Sequence, residues 1–201
     1  MMPELVLLCI VASLLELDTT YVFQLTFSRG IIAGPLMALI TGDLMAGLQT
    51  GVFTELLFAD VNPLGGVLPP SAVACTAVTL ALHFLQIPLY LAFFFGVVCA
   101  ILFSHAERLL RKNRFRWLVF WEKRILKKPQ TVNKAIVVAL IASFATTFLL
   151  FSFFIFCTTP VATWIMKHLT PQAQTACKFA FIAVPWIGIA SLLSSFRLKT
   201  R

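Results

Sequence analysis

Apolar residues come in two kinds of run along this chain. From residue 63 onward the runs are long: 63–82, 84–104, 135–157 and 176–196 hold few charges, and about 20 such residues cross a bilayer core as a helix. Before residue 63 the runs are short: 5–15, 30–40 and 44–59, none a comfortable span alone. The second of these contains Gly34-Pro35 and stops at Gly42. Short apolar segments interrupted by Gly and Pro mark broken or re-entrant helices, which survive at membrane depth only where protein or trapped water satisfies their backbone. The pattern predicts an all-α integral membrane protein, with a broken-helix unit over 1–62 and about four transmembrane helices after it.

Composition agrees with a lipid solvent. The 201 residues are 60% hydrophobic and 12% charged, with a mean hydropathy of +0.94, whereas soluble domains carry about 25% charged residues. "MMPELVLLCIVASLL" has no basic residues before its apolar core, so it does not read as a signal peptide and is expected to stay in the mature chain. Five cysteines at wide spacings suggest neither a disulfide framework nor a zinc site. His83, His105 and His168 are scattered singly, without metal-ligand spacing, and read as residues at segment interfaces.

A net charge of +8 would suggest nucleic acid if it were spread out, but it is not. Ten of the sixteen Lys and Arg residues lie between Arg108 and Lys134, while six of the eight acids lie between Glu4 and Asp60 with Arg29 as their only base. The excess belongs to one loop. Cytoplasmic loops collect Lys and Arg, so 63–104 is expected to hold two transmembrane helices and 105–134 to form a basic cytoplasmic loop. Residues 135–201 then supply two more helices and a basic tail, "RLKTR", which returns to the cytoplasm. Within the loop Trp117, Trp121 and Ile125 recur at four-residue steps, the pattern of an interfacial amphipathic helix.

The chemistry concentrates in the acidic first third. In "GDLMAGLQTGVFTELLFAD" the positions Asp43, Gly47, Gly51 and Glu55 share one helical face. Asp43 is placed to cap the helix, and Gly47 and Gly51 clear space for a close neighbour. A carboxylate at bilayer depth costs about 2.5–3.5 kcal/mol, so Glu55 must face a cavity or a partner. Arg29 is the available base for an ion pair. Asp18, Gln24, Glu55 and Asn62 are hydrogen-bonding groups within the broken-helix region, and carboxylates and amides together suit a polyhydroxylated ligand.

The ordered series Asp18, Gln24, Ser28-Arg29, Gly42-Asp43, Glu55-Leu56, Pro63-Leu64-Gly65 and Pro69-Pro70 resembles the mannose/sorbose-type IIC subunit of the bacterial phosphoenolpyruvate-dependent sugar phosphotransferase system. The match covers roughly residues 5 to 80. It departs from the family pattern at Ser71, where an acid is usual, and at Asp60, where a glycine is usual. The resemblance implies a multi-pass protein of the bacterial inner membrane that binds a hexose-type sugar and translocates it inward. It further implies a IID membrane subunit as partner, a cytoplasmic IIB protein that phosphorylates the sugar, and a homo-oligomer within a larger complex. No phosphoryl-carrying residue, catalytic residue, metal or cofactor is expected in this chain. Asp18, Gln24, Glu55 and Asn62 are the implied sugar contacts; Arg29 and Asp43 are implied supports beside them, with Gly47 and Gly51.

Two other readings compete. The chain can be a non-transporting regulatory or assembly subunit of an incomplete phosphotransferase system. It can also be an intramembrane acid-base enzyme that pairs Glu55 with Asp43 or Asp60, although it has no HExxH, no nucleophile beside a base and no cofactor loop.

Overall fold

A computed structural model describes residues 2–19, 25–59, 69–127 and 132–198, apart from the side chains of 113–118, 120–125, 127 and 195–198. Seven helices are present among them: α1 Met2–Asp18, α2 Gly30–Thr41, α3 Leu44–Phe58, α4 Ala72–Phe84, α5 Leu89–Lys127, α6 Val132–His168 and α7 Pro171–Leu198. The three short apolar runs of the first third thus become α1, α2 and α3, close to their expected limits. The described chain is all-α, and α5, α6 and α7 hold segments long and apolar enough to cross a membrane.

The four helices described after residue 62 match the expected number, but two of them differ from the expected segments. The described part of segment 63–82 holds α4, whose 13 residues reach about 20 Å at 1.5 Å per residue. Ser71 starts it, with its side chain accepting the Ala74 N–H, directly after Pro69-Pro70. Because α4 is buried all round, from Val73 to Leu82, it never has to match the bilayer thickness. The second difference is α5, which runs unbroken from Leu89 through the basic stretch to Lys127. What the sequence divides into a span and a loop with its own helix is one helix. No proline interrupts it, so the local helical preferences of both parts simply join.

Packing centres on α4, flanked by α1, α2, α3, α5 and α6. Leu8, Met37, Val78, Leu80, Phe93, Phe103 and Phe151 are fully buried there. Phe103 of α5 stacks on Phe151 of α6 with centroids 4.7 Å apart, and Phe181 of α7 meets both Phe53 and Phe93 at 4.8 and 5.3 Å. The outer faces of α6 and α7 remain apolar, with Phe153, Phe156, Trp164, Phe179 and Trp186 exposed.

Helices α2 and α3 form a hairpin too short to cross a bilayer, as the broken-helix pattern anticipates. Their backbones touch. A Cβ on Gly34 would collide with the carbonyl oxygen of Gly47, and one on Gly51 with that of Gly30. The glycine pair on each helix therefore packs into the other, so the neighbour for which Gly47 and Gly51 make room is internal. The turn between them uses Gly42 in the left-handed region, φ 81°, with its N–H on Ala38 O, and Asp43 then caps α3 by accepting the Ala46 N–H at 3.0 Å.

Candidate functional site

Polar side chains gather where α1 ends, α2 begins, α3 ends and α4 begins. Asp18, at the last position of α1, is 8% exposed, and its two oxygens accept the N–H groups of Leu25 at 2.9 Å and Ser28 at 3.4 Å. A carboxylate holding two backbone donors fixes a turn. This turn, with Thr26 at φ 66°, delivers Arg29 and Gly30 to the end of α3. There Arg29 Nη1 lies 2.7 Å from Glu55 Oε1, and Gly30 N–H donates to Oε2 at 3.0 Å. Glu55 therefore takes the partner the sequence offers, and it also satisfies an open N–H at the start of α2, where a helix favours negative charge. The side chains of Arg29 and Glu55 remain 63% and 27% exposed, so the pair sits at a surface.

Gln24, Asp60 and Asn62 lie outside the described residues. Of the four expected sugar contacts, the described residues thus include Asp18, which holds the N–H groups of Leu25 and Ser28, and Glu55, which holds Arg29 and the Gly30 N–H. Asp43 is elsewhere: the 12 positions separating it from Glu55 along α3 span about 18 Å. That distance removes an acid-base dyad of these two carboxylates.

A second group escaped the sequence reading. Glu16 Oε2 accepts the Ser71 hydroxyl at 2.8 Å, Ser71 N–H donates to Ser104 Oγ at 3.1 Å, and Ser104 Oγ reaches Pro69 O at 2.9 Å. Glu16 is 9% exposed and Glu107 5%. Arg111 donates to Glu107 at 3.4 Å, and both lie close enough to act electrostatically on Glu16. This chain of bonds ties α1, α4 and α5 at the start of α4. One signal was visible in sequence, an acid inside an apolar segment. Ser71 shows in the sequence only as a departure from the family pattern.

A family profile described as the sorbose-specific IIC component of the PTS system matches residues 2–200. The chain belongs to that family. Two proteins of Escherichia coli are similar to it. N-acetylgalactosamine permease IIC component 1 is 32% identical over 111 residues, covering 44% of this chain and 42% of that one. Putative N-acetylgalactosamine permease IIC component 2 is 40% identical over 50 residues, covering 25% of this chain and 38% of that one. The matched part spans about two-fifths of these curated relatives. A solved structure described as that of a membrane protein has the same fold, with a TM-score of 0.71 at 16% identity, over 98% of this chain and 80% of that one.

At the other end of the helix packet, this IIC-family chain joins its hairpin tip to the turn between α4 and α5. Asp43 Oδ2 lies 3.2 Å from His83 Nε2, and His83 Nδ1 lies 3.1 Å from Ile87 O. The Ala46 N–H, and then the His83 ring, hold the Asp43 carboxyl below the usual carboxylate range. His83, read from sequence as an isolated interface residue, is the partner that Asp43 uses.

Proposed function

We propose that this chain is the sugar-translocating IIC subunit of a phosphotransferase permease, working in the membrane with a IID subunit and a cytoplasmic IIB protein. It binds a hexose-type sugar near Asp18, Gln24, Glu55 and Asn62 and passes it inward for phosphorylation by IIB. The basic stretch 108–134 and the C-terminus face the cytoplasm in this reading, because cytoplasmic flanks collect Lys and Arg. The observation that carries the proposal is the family match over residues 2–200. It is supported by the convergence of Asp18, Arg29 and Glu55 at one end of an otherwise apolar hairpin. Carboxylates accept from sugar hydroxyls and a guanidinium donates to them.

One observation favours a second reading. Both oxygens of Glu55 already have protein partners, as suits a structural group in a non-transporting assembly subunit. Uptake of radiolabelled sorbose and N-acetylgalactosamine separates the two in cells expressing this chain with IID and IIB proteins. The transport reading expects uptake that requires the chain and falls about tenfold or more in both Glu55→Gln and Asp18→Asn. Unchanged uptake in both variants would refute the assigned site. Co-purification with IID and no uptake of either sugar would leave the assembly role.

A further inference from the structure

A cavity of about 400 Å³ opens beside the α2–α3 tip, at the end of the helix packet away from Glu55, lined by Thr41, Asp43, His83, Phe84, Gln86, Ile87 and Pro88. Nothing in the reading of Asp18, Gln24, Glu55 and Asn62 uses it. We propose that this cavity is a second sugar subsite, which takes the neutral, unphosphorylated monosaccharide on the side of the membrane opposite the basic stretch. The inference rests on the transport reading above and extends it to a residue set that the reading leaves idle.

The lining argues for the ligand class. Small-molecule sites run from about 300 to 1,000 Å³ and combine apolar walls with a few placed polar groups, so this volume suits a ligand of monosaccharide size. Phe84, Ile87 and Pro88 supply apolar wall for the C–H face of a sugar ring. Asp43, Gln86 and Thr41 supply a carboxylate, an amide and a hydroxyl, which together accept from and donate to hydroxyls, while both ring nitrogens of His83 are held by Asp43 and Ile87 O. Asp43 keeps spare acceptor capacity: one oxygen takes the Ala46 N–H and the other faces His83, while a carboxylate offers about four lone-pair sites. Gln86 stands at φ 67° in the turn, with its backbone N–H donating to His83 O at 2.9 Å, and is exposed.

Other ligands fit less well. One carboxylate and one imidazole among the lining residues are too few to ligate a calcium or zinc ion without other donors. An anion would meet the ionised Asp43, so a sugar phosphate is disfavoured at this end. The cavity thus distinguishes the substrate from the product that a phosphotransferase makes of it.

The test uses the full chain in lipid nanodiscs with ¹⁵N-labelled histidine. The three histidines give few signals, and the His83 imidazole is assigned by its loss in His83→Asn. Sorbose and N-acetylgalactosamine are titrated separately, with glucose 6-phosphate as the charged probe. The expected result is a saturable shift of the His83 signal with at least one neutral sugar and none with glucose 6-phosphate. Gln86→Gly, which suits the positive φ and disturbs no cap, should weaken that response about tenfold. Glu55→Gln should leave it in place. Sugar binding that depends on Glu55 while His83 stays still would overturn the second subsite and spare the transport reading. No binding of either sugar anywhere would overturn both. An equal response to glucose 6-phosphate would refute the assignment to the neutral sugar.

Discussion

Arg29 and Glu55 meet at 2.7 Å across the open end of the α2–α3 hairpin, and the adjacent Gly30 N–H closes on the second oxygen of the same carboxylate at 3.0 Å. The two bonds differ in kind. The guanidinium is well exposed, so its attraction is screened and contributes at most about 1 kcal/mol. The Gly30 N–H is a helix-start donor with no partner inside its own helix. Arg29→Ala should therefore cost less than about 1 kcal/mol. Glu55→Ala should cost about 1–2 kcal/mol, because it also strips the helix start of its acceptor. The charge-swapped double variant Arg29→Glu/Glu55→Arg should fail to recover stability, since arginine cannot accept from Gly30. Thermal melts in detergent would show the order; full recovery in the swap would mean that the pair acts by charge alone.

Close backbone contact makes a sharper prediction about the glycines. A Cβ at position 34 or 51 points into a carbonyl of the facing helix, so Gly34→Val and Gly51→Val should each separate the helices and cost several kcal/mol, beyond the usual overpacking range of about 1–3 kcal/mol. Gly42→Ala should behave differently. Nothing lies within 4 Å of its added Cβ, and the strain is that of φ 81° alone, about 1–2 kcal/mol. Yield and melting temperature of the three purified variants would rank them.

Ser71 has two jobs, donor to Glu16 and cap of α4. Ser71→Ala removes a cap worth about 1 kcal/mol and leaves a buried carboxylate short of a donor, at about 1–3 kcal/mol more. Ser71→Thr keeps the hydroxyl and should stay within about 1 kcal/mol of the natural chain. Ser104→Ala should fall between them. If Ser71→Ala melts like the unsubstituted protein, the Glu16–Ser71 bond contributes nothing.

Acid should loosen the hairpin tip through Asp43. Its carboxyl titrates lower in the folded chain than in the unfolded one, because the Ala46 N–H and then His83 favour the charged form. The resulting stability is fully present above the unfolded carboxylate value, about 4, and is lost as pH falls through the folded value. Asp43→Asn should flatten that part of the acid limb in a melting-temperature profile. A limb unchanged by Asp43→Asn would assign the acid sensitivity to other carboxylates.

Much of the fold was legible because its determinants are local. Gly42 and Asp43 punctuate the hairpin where the structure turns, whereas Gly34-Pro35 lies inside α2 without breaking it, and the acid-glycine stripe told correctly of a close neighbour. The end of α5 was not legible in the sequence, because charge changes along the chain while helical propensity does not. The partners of polar groups were the least legible. Arg29–Glu55 could be guessed, since one base stood among six acids between Glu4 and Asp60. Glu16–Ser71 and Asp43–His83 join residues 55 and 40 positions apart, and no periodicity reports on bonds made by topology.

The interlocked glycines carry a mechanical consequence. Two helices whose main chains abut have no side-chain layer along which to slide, so α2 and α3 travel as one plate. Any rearrangement of this plate against its neighbours must take up its movement at the described borders: the 25–29 turn and the Asp43–His83 clasp.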